Sequence, residues 1–213
     1  MSKSLKLFGS TNPRSFNTLK IRCALAEIGA DYEFVPVDVA KGAGRAPEFL
    51  RMNAHGKIPV LLDGDFALPE SDAILWYLGE KFPDAKLLPL ADGSDAALQA
   101  RAQVIRFCDI ASTAFYPAYS DWWNATNATP PNPLAADSAL VKVNRALGVL
   151  ESVLAGGEYL VGAFSLADIS MASILFALKR RLPLDPLSEF QSVKAWYARV
   201  GARPSWQQVI ADE

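Results

Sequence analysis

A carboxylate and a hydroxyl stand side by side at a predicted helix start in the first half of the chain. Glu70 and Ser71 follow Pro69 directly, and an apolar helical pattern continues to about residue 81. The first N–H groups of a helix have no partner within the helix and favour anions. With the hydroxyl and the carboxylate, they can hold a small zwitterionic ligand. The same two residues can also serve as a plain helix N-cap.

The residues before this helix predict a β-hairpin that fixes its position. Pro59 directly precedes the apolar run Val60-Leu61-Leu62, and proline is tolerated at the first residue of a strand or on an edge. Asp63-Gly64 between two short apolar runs indicates a tight turn, since glycine adopts positive φ at little steric cost. The sequence therefore predicts a hairpin over 59–68 that leads into a helix over 70–81.

A strand, a helix and a second strand are expected ahead of the hairpin. Residues 5–8 read as a strand, 15–28 have helical spacing that ends at Gly29, and 32–37 read as a strand. This order suits parallel pairing of the two strands. A short helix over 47–52 follows.

The second half of the chain is predicted to be helical throughout. Residues 83–92 are rich in Pro and Asp and form the best linker candidate. We therefore expect one domain over 1–82 and an all-helical domain over 93–213. A long amphipathic helix is expected over 94–127, with Pro117 as a point where it can kink.

Two helix starts in this second domain are predicted from capping signals. Residues 129–133 are expected to form a loop, and Asp137 is the expected cap of a helix whose apolar positions run over 140–154. Ser165 followed by Asp168 resembles a capping box with the shorter acid.

Composition and charge exclude several classes of function. The 213 residues are 51% hydrophobic with a net charge of -2, so no basic surface argues for nucleic acid or an anionic membrane. No apolar run is long enough to span a bilayer. Cys23 and Cys108 suit a reducing compartment, and His55 is the single histidine, so we expect no metal site. A soluble cytoplasmic protein is expected.

The segment over 53–78 resembles the glutathione transferase family. It matches the family pattern N-P-x-G-K/R-V-P-V-L-x-D-G followed by L-x-E-S-x-A-I-x-x-Y-L, with Ala54 in place of the usual proline. Residues 22–29 are similar to the end of the family's first helix, and 165–168 to its capping segment. The resemblance covers nearly the whole chain and is nearest to bacterial, serine-type members. It implies an α/β plus all-α fold, with an N-terminal thioredoxin-like domain followed by a C-terminal helical bundle.

The resemblance implies that the hairpin and the helix after it bind glutathione as co-substrate. Pro59 is then a cis proline, and the main chain of Ile58 pairs with the cysteinyl part of glutathione. The hydroxyl and N–H of Ser71 take the α-carboxylate of the γ-glutamyl end, and Glu70 faces its ammonium.

Two basic side chains are implied to hold the glycyl carboxylate of glutathione. Arg45 lies before the second helix, and Lys57 follows the glycine of the proline loop. The alternative is that both are ordinary solvated side chains. His55, in the same loop, is left outside the chemistry.

Ser15 is the residue that the resemblance places beside the glutathione thiol. A free thiol has a pKa of about 8.5, so only a small fraction is ionised near neutral pH. A hydroxyl that donates to sulfur at a helix N-terminus stabilises the thiolate. Ser15 can instead be a plain N-cap, and Asn17 and Thr11 are rivals for the catalytic role.

An aromatic helix in the second domain is implied to bind the second substrate, a hydrophobic electrophile. The candidate pocket residues are Phe107, Ala111, Phe115, Tyr116 and Tyr119. The alternative is that these side chains form core.

Conjugation of glutathione to an electrophilic carbon is the leading hypothesis for function, with a homodimer as the expected assembly. Glutathione-dependent isomerisation or peroxide reduction on the same fold is an alternative. Residues 14–22 lack the first serine and the first arginine of the isomerases' Ser-Ser-x-x-x-Arg-Val-Arg run. A thiol-disulfide oxidoreductase would carry cysteine near Ser15, whereas Cys23 lies mid-helix. A non-catalytic interaction protein of this fold is the remaining alternative.

Overall fold

The computed structural model describes residues 5–12, 15–182 and 185–211. The chain divides into two compact units. The first contains the chain up to Leu88 together with the segment from Ala202, and the second covers Pro89–Gly201.

The described residues form four strands and nine α-helices. The strands are β1 (Leu5–Gly9), β2 (Tyr32–Pro36), β3 (Val60–Asp63) and β4 (Phe66–Pro69). The helices are α1 (Phe16–Ile28), α2 (Pro47–Met52), α3 (Ser71–Lys81), α4 (Asp95–Ile110), α5 (Tyr116–Thr126), α6 (Pro133–Leu154), α7 (Leu166–Arg181), α8 (Gln191–Gly201) and α9 (Pro204–Ala211). A π-helical turn, Ala111–Phe115, joins α4 to α5, and single 3₁₀ turns lie at Val39–Lys41, Ala43–Arg45 and Pro83–Ala85.

The strands of the first unit form one mixed sheet in the order β2-β1-β3-β4. β1 pairs parallel with β2, and β3 pairs antiparallel with both β1 and β4. Asp63 pairs with Phe66 across the hairpin, and Gly64 in the turn has φ 62°. The predicted β-α-β unit and hairpin are confirmed, and the unit has the thioredoxin-like fold that the resemblance implies.

α1 begins and ends close to where the sequence predicts. Ser15 occupies the N-cap position, and Gly29 ends the helix with φ 69°, its N–H directed to carbonyls of the last turn. The helix packs against α3 and α9. Leu19, Ile21 and Leu25 are fully buried, so α1 forms the centre of the unit's helical layer.

The last helix belongs with the first unit. The sequence predicts one helical domain over 93–213, whereas α9 packs against α1. Arg203, just before α9, donates from Nε and an Nη to the two carboxylate oxygens of Glu27 at 2.5 and 2.8 Å, and Ser205 Oγ donates to the same carboxylate. These contacts link residues 176 and 178 positions apart, which local periodicity does not reveal.

The helix expected over 94–127 is present, but it widens in the middle. Ala111–Phe115 form a π-helical turn directly before α5, in which Pro117 is the second residue. Proline has no N–H to donate, and its ring crowds the carbonyl four residues earlier, here that of Thr113. The wider turn relieves this conflict without ending the helix.

α6 begins earlier than predicted. Asn132 is its cap: Oδ1 accepts from the Ala135 N–H at 3.1 Å, and Pro133 occupies the first helical position. The prediction of Asp137 as the cap is therefore wrong, because the Asn-Pro pair supplies both a capping acceptor and a preset φ five residues earlier.

The capping box at the start of α7 is confirmed. Asp168 is fully buried and accepts from the Ser165 N–H at 2.9 Å. It also accepts from the Trp196 indole at 2.8 Å and from the Leu160 N–H. The carboxylate thus joins α7, α8 and the loop before α7 in the core of the second unit. No helix in the described part of the chain is long and apolar enough to cross a membrane.

Candidate active site

Ser15 stands at the N-cap position of α1, but its hydroxyl does not cap the helix. Its Oγ accepts no backbone N–H and instead lies 3.1 Å from Thr18 Oγ1. Thr18 Oγ1 in turn accepts from the Ser10 N–H at 3.1 Å. The Ser15 hydroxyl is half-buried, and Thr18 is its one partner among the described residues. It therefore retains hydrogen-bonding capacity for a ligand at the positive end of α1.

The two rivals of Ser15 occupy different positions. Thr11 is exposed in the loop between β1 and α1. Asn17 lies in the first turn of α1, where its Oδ1 accepts from Ser71 Oγ at 3.1 Å. This hydrogen bond brings the first turns of α1 and α3 together, so Ser15 and Ser71 belong to adjacent helix N-termini.

Glu70 and Ser71 form the entry to α3 in an unusual backbone conformation. Ser71 is the first helical residue, and Glu70 precedes it with φ 70° and ψ 112°. A non-glycine residue at positive φ costs about 1–3 kcal/mol and persists only where the surroundings fix it. The Glu70 side chain is exposed and makes no capping hydrogen bond. The Glu70 carboxylate therefore does not act as an N-cap of α3.

An ion pair between a buried lysine and a half-buried aspartate lies next to Ser71. Lys20 Nζ, on α1, is 2.6 Å from Asp72 Oδ1, on α3. The Lys20 side chain is 1% exposed and the Asp72 side chain 28% exposed. Asn17 and Lys20 are three residues apart on α1, and they contact the consecutive residues Ser71 and Asp72.

The peptide bond between Ile58 and Pro59 is cis, as the resemblance implies. The Ile58 side chain packs against the buried cluster of Val37, Phe49 and Val60. No hydrogen bond to the Ile58 main chain is found within residues 5–12, 15–182 and 185–211. The peptide groups of Ile58 are thus available to pair with an extended ligand.

Arg45 and Lys57 lie on two loops that touch each other. A Cβ on Gly44 would lie 2.2 Å from the carbonyl oxygen of Gly56, and a Cβ on Gly56 would lie 2.6 Å from that of Gly44. Only glycines permit so close an approach of two backbones. Arg45 and Lys57 directly follow these glycines and are both exposed, so two cationic side chains start from neighbouring points.

Most of the aromatic residues predicted for the electrophile pocket are buried in the second unit. Phe107 is 1% exposed, Phe115 0% and Tyr119 5%, and Ala111 is also buried. Tyr116, which is 44% exposed, is the member of the set with substantial free surface. Side chains without exposed surface do not touch a ligand in this conformation.

The cysteines and the histidine lie outside the candidate site. Cys23 and Cys108 are buried and form no disulfide, and Cys23 lies on the buried face of α1, which is typical of core. The His55 N–H donates to Asn53 Oδ1 at 3.0 Å, which shapes the loop before Pro59. Across the described residues, no group of three or more His, Cys, Asp or Glu side chains is placed to hold a metal ion.

Family models match most of the chain. Residues 3–80 match "Glutathione S-transferase, N-terminal domain", and residues 107–204 match "Glutathione S-transferase, C-terminal domain".

The chain belongs to the glutathione S-transferase family.

Full-length relatives of this transferase include plant proteins. It is 36% identical to glutathione S-transferase 3 of Zea mays over 217 residues, which cover 97% of this chain and 93% of the relative. It is 32% identical to glutathione S-transferase 1 of Zea mays, with 97% and 96% covered.

Solved structures of transferases have the same fold. Glutathione transferase F7 of Populus trichocarpa superposes with a TM-score of 0.85 at 30% identity, covering 98% of both chains. Glutathione transferase URE2P6 of Phanerochaete chrysosporium, in complex with oxidised glutathione, gives 0.88 at 28% identity, covering 99% of this chain and 96% of that one. These relatives come from plants and a fungus and do not support the expected resemblance to bacterial members.

The sequence does not predict the partners of Ser71 and Asp72 in this transferase. Lysine is among the residues least often fully buried, so Lys20 reads as a surface residue. The one available signal is that Asn17 and Lys20 share a face of α1 with three-residue spacing. Nothing in the sequence indicates that this face meets the start of α3.

Proposed function

We propose that this protein is a serine-type glutathione transferase that joins the glutathione thiolate to a hydrophobic electrophile. The observation that carries the proposal is the hydrogen bond between Asn17 and Ser71, because it brings two helix N-termini together. Both ends are partially positive. A γ-glutamyl carboxylate at the start of α3 and a thiolate at the start of α1 are then stabilised at the same time.

The roles of the binding residues follow the polarity of glutathione. Ser71 donates its N–H and hydroxyl to the α-carboxylate, while Glu70 faces the ammonium. The free main-chain groups of Ile58, preceding Pro59, pair with the cysteinyl residue. Arg45 and Lys57, on the two touching loops, bind the glycyl carboxylate at the other end.

Ser15 is proposed to donate its hydroxyl hydrogen to the sulfur. The thiolate attacks the electrophilic carbon, a carbon–sulfur bond forms, and with an aryl halide the halide leaves. The thiol proton passes to solvent before the attack. Ser15 is not consumed, because it only stabilises the anion.

The second substrate and the assembly complete the proposal. The exposed Tyr116 is the proposed contact to the electrophile. The layer beneath this apolar site is proposed to consist of four buried residues, Phe107, Ala111, Phe115 and Tyr119. The active form is proposed to be a cytoplasmic homodimer.

Retention on immobilised glutathione and turnover of a generic aryl halide test the proposal together. Wild-type protein should be retained and active. Ser71→Ala combined with Glu70→Gln should weaken retention by about 10–100-fold, because a hydrogen bond to a charged group contributes about 1.5–3 kcal/mol.

Ser94→Ala is the matched control. Ser94 Oγ caps α4 by accepting from the Ala97 N–H at 3.1 Å, so its loss should cost stability alone. Wild-type protein that neither binds glutathione nor turns over the halide would contradict the proposal. Full retention of the Glu70/Ser71 double variant would show that these residues only start a helix.

A further inference from the structure

We propose that the buried Lys20 and the half-buried Asp72 are a positioning pair that holds the first turn of α3 in its glutathione-binding geometry. The inference rests on the proposed function, since it assigns to the pair the placement of Ser71. Neither residue is proposed to touch the reacting sulfur.

The burial of Lys20 is the first observation. Its side chain is 1% exposed, and Asp72 Oδ1, at 2.6 Å, is the one hydrogen-bond acceptor found for Nζ among the described residues. Removing an ammonium group from water is costly unless a counter-charge is close. A buried lysine at this position therefore costs folding free energy. A methionine of similar length would fill the same space without that cost.

The geometry around Ser71 is the second observation. Asn17 and Lys20 lie on one face of α1 and contact consecutive residues of α3, so the first turn of α3 is held at two points. The chain enters that turn through Glu70 at φ 70°, a conformation that its surroundings must maintain. The ion pair supplies such a constraint directly after it.

The position of the pair predicts that it controls glutathione affinity and not kcat. Lys20 is five residues beyond Ser15 along α1 and is closed off from solvent. If the ion pair is lost, the first turn of α3 shifts and Ser71 binds the ligand less well. The hydroxyl of Ser15, at the start of α1, keeps its position. Glutathione affinity should therefore fall without a matching change in kcat or in the pKa of the bound thiol.

Four variants test the pair: Lys20→Met, Asp72→Asn, their combination, and Lys20→Arg. The readouts are the Kd of glutathione by calorimetry, kcat at saturating glutathione, the ultraviolet titration of the bound thiol, and Tm. Each neutral single variant should raise Kd by about tenfold or more, as misplacement of a binding group does, with kcat within about twofold of wild type. Lys20→Arg should retain most of the affinity.

Lys6→Met is the matched control, because Lys6 forms an exposed ion pair with Glu33 at 2.7 Å on the same unit. Exposed pairs contribute little, so this variant should resemble wild type in every readout.

The double variant separates positioning from simple structural support. Lys20→Met with Asp72→Asn leaves no unpaired buried charge, so Tm should recover relative to the single variants, while Kd stays raised. Recovery of Kd together with Tm, or wild-type Kd in the folded single variants, would overturn the inference. If a single variant fails to fold, Lys20→Arg and the double variant still decide the question. Wild-type protein without glutathione affinity would instead overturn the proposed function.

Discussion

Replacement of Ser15 by alanine isolates the contribution of one hydroxyl to thiolate stability. The hydroxyl does not cap α1, and its one described partner is the neutral Thr18 Oγ1 at 3.1 Å. A neutral hydrogen bond contributes about 0.5–1.5 kcal/mol net, so the cost to folding should be about 1 kcal/mol or less. The effect on the sulfur should be larger, because that hydrogen bond has a charged acceptor.

The expected size of the effect follows from that difference. A hydrogen bond to a charged group contributes about 1.5–3 kcal/mol, and each 1.36 kcal/mol changes a pKa by about one. Ser15→Ala should thus raise the pKa of the bound thiol by about one to two. At a pH below the wild-type pKa of the bound thiol, kcat/KM of the variant with an aryl halide should be about 10–100-fold lower than that of wild type. This difference should shrink as the pH rises above the wild-type pKa.

Ultraviolet titration of bound glutathione and the pH profile of kcat/KM measure this directly. Ser94→Ala, which removes a true helix cap, should lower Tm and leave both readouts unchanged. Unchanged turnover in Ser15→Ala would move the catalytic role to Asn17 or Thr11. A loss of equal size at every pH would refute thiolate stabilisation and indicate that Ser15 only positions the ligand.

Two further variants test other contacts of the first unit. Gly44→Ala places a Cβ 2.2 Å from the Gly56 carbonyl oxygen, so the loops carrying Arg45 and Lys57 must separate. Glutathione affinity should fall by about tenfold, and the free energy of unfolding should fall by about 1–3 kcal/mol. Gly148→Ala, with nothing within 4 Å of the new Cβ, is its control and should be neutral or stabilising; equal affinity for both variants would contradict the contact. Burial alone would raise the pKa of the Glu27 carboxyl, but hydrogen bonds from Arg203 and Ser205 outweigh burial and hold that pKa below its ordinary value of 4.5. A lowered carboxyl pKa stabilises the fold above about 4.5 and loses that contribution as pH falls through the folded-state value. Arg203→Met should therefore lower Tm at neutral pH and flatten its decline in acid; a Tm difference that is constant over pH would exclude this ion pair as the cause.

Local signals were sufficient for most of the first unit. The hairpin was readable because Pro59 and Asp63-Gly64 punctuate two short apolar runs, and α1 was readable because Gly29 ends its pattern. The glutathione-binding candidates came from the family resemblance, which is most specific over 53–78 and also implies Arg45 before that segment. Such signals act over a few residues, so they can be recognised in the sequence alone.

Contacts between distant segments were not readable from sequence. Glu27 and Arg203 are 176 positions apart, so nothing local assigns α9 to the first unit. Lysine is a residue type expected at the surface, whereas Lys20 is buried and forms an ion pair with Asp72, 52 positions away. Phe107 and Phe115 follow a helical pattern that fits both core and pocket, and burial alone distinguishes the two.

The proposed binding mode gives a reason for an amide side chain at residue 17, two positions after Ser15 on α1. Ser71 at present donates its hydroxyl hydrogen to Asn17 Oδ1. Under the proposed binding mode that hydrogen turns to the γ-glutamyl carboxylate, which leaves Ser71 Oγ as an acceptor. An asparagine amide carries donors as well as an acceptor, so rotation of the Asn17 amide restores the bond in the opposite direction. A carboxylate at this position could only accept and would repel the ligand's own carboxylate. Under the proposed binding mode, Asn17 therefore fits the binding of glutathione better than the activation of its thiol, which supports the proposed role of Ser15 over that of Asn17.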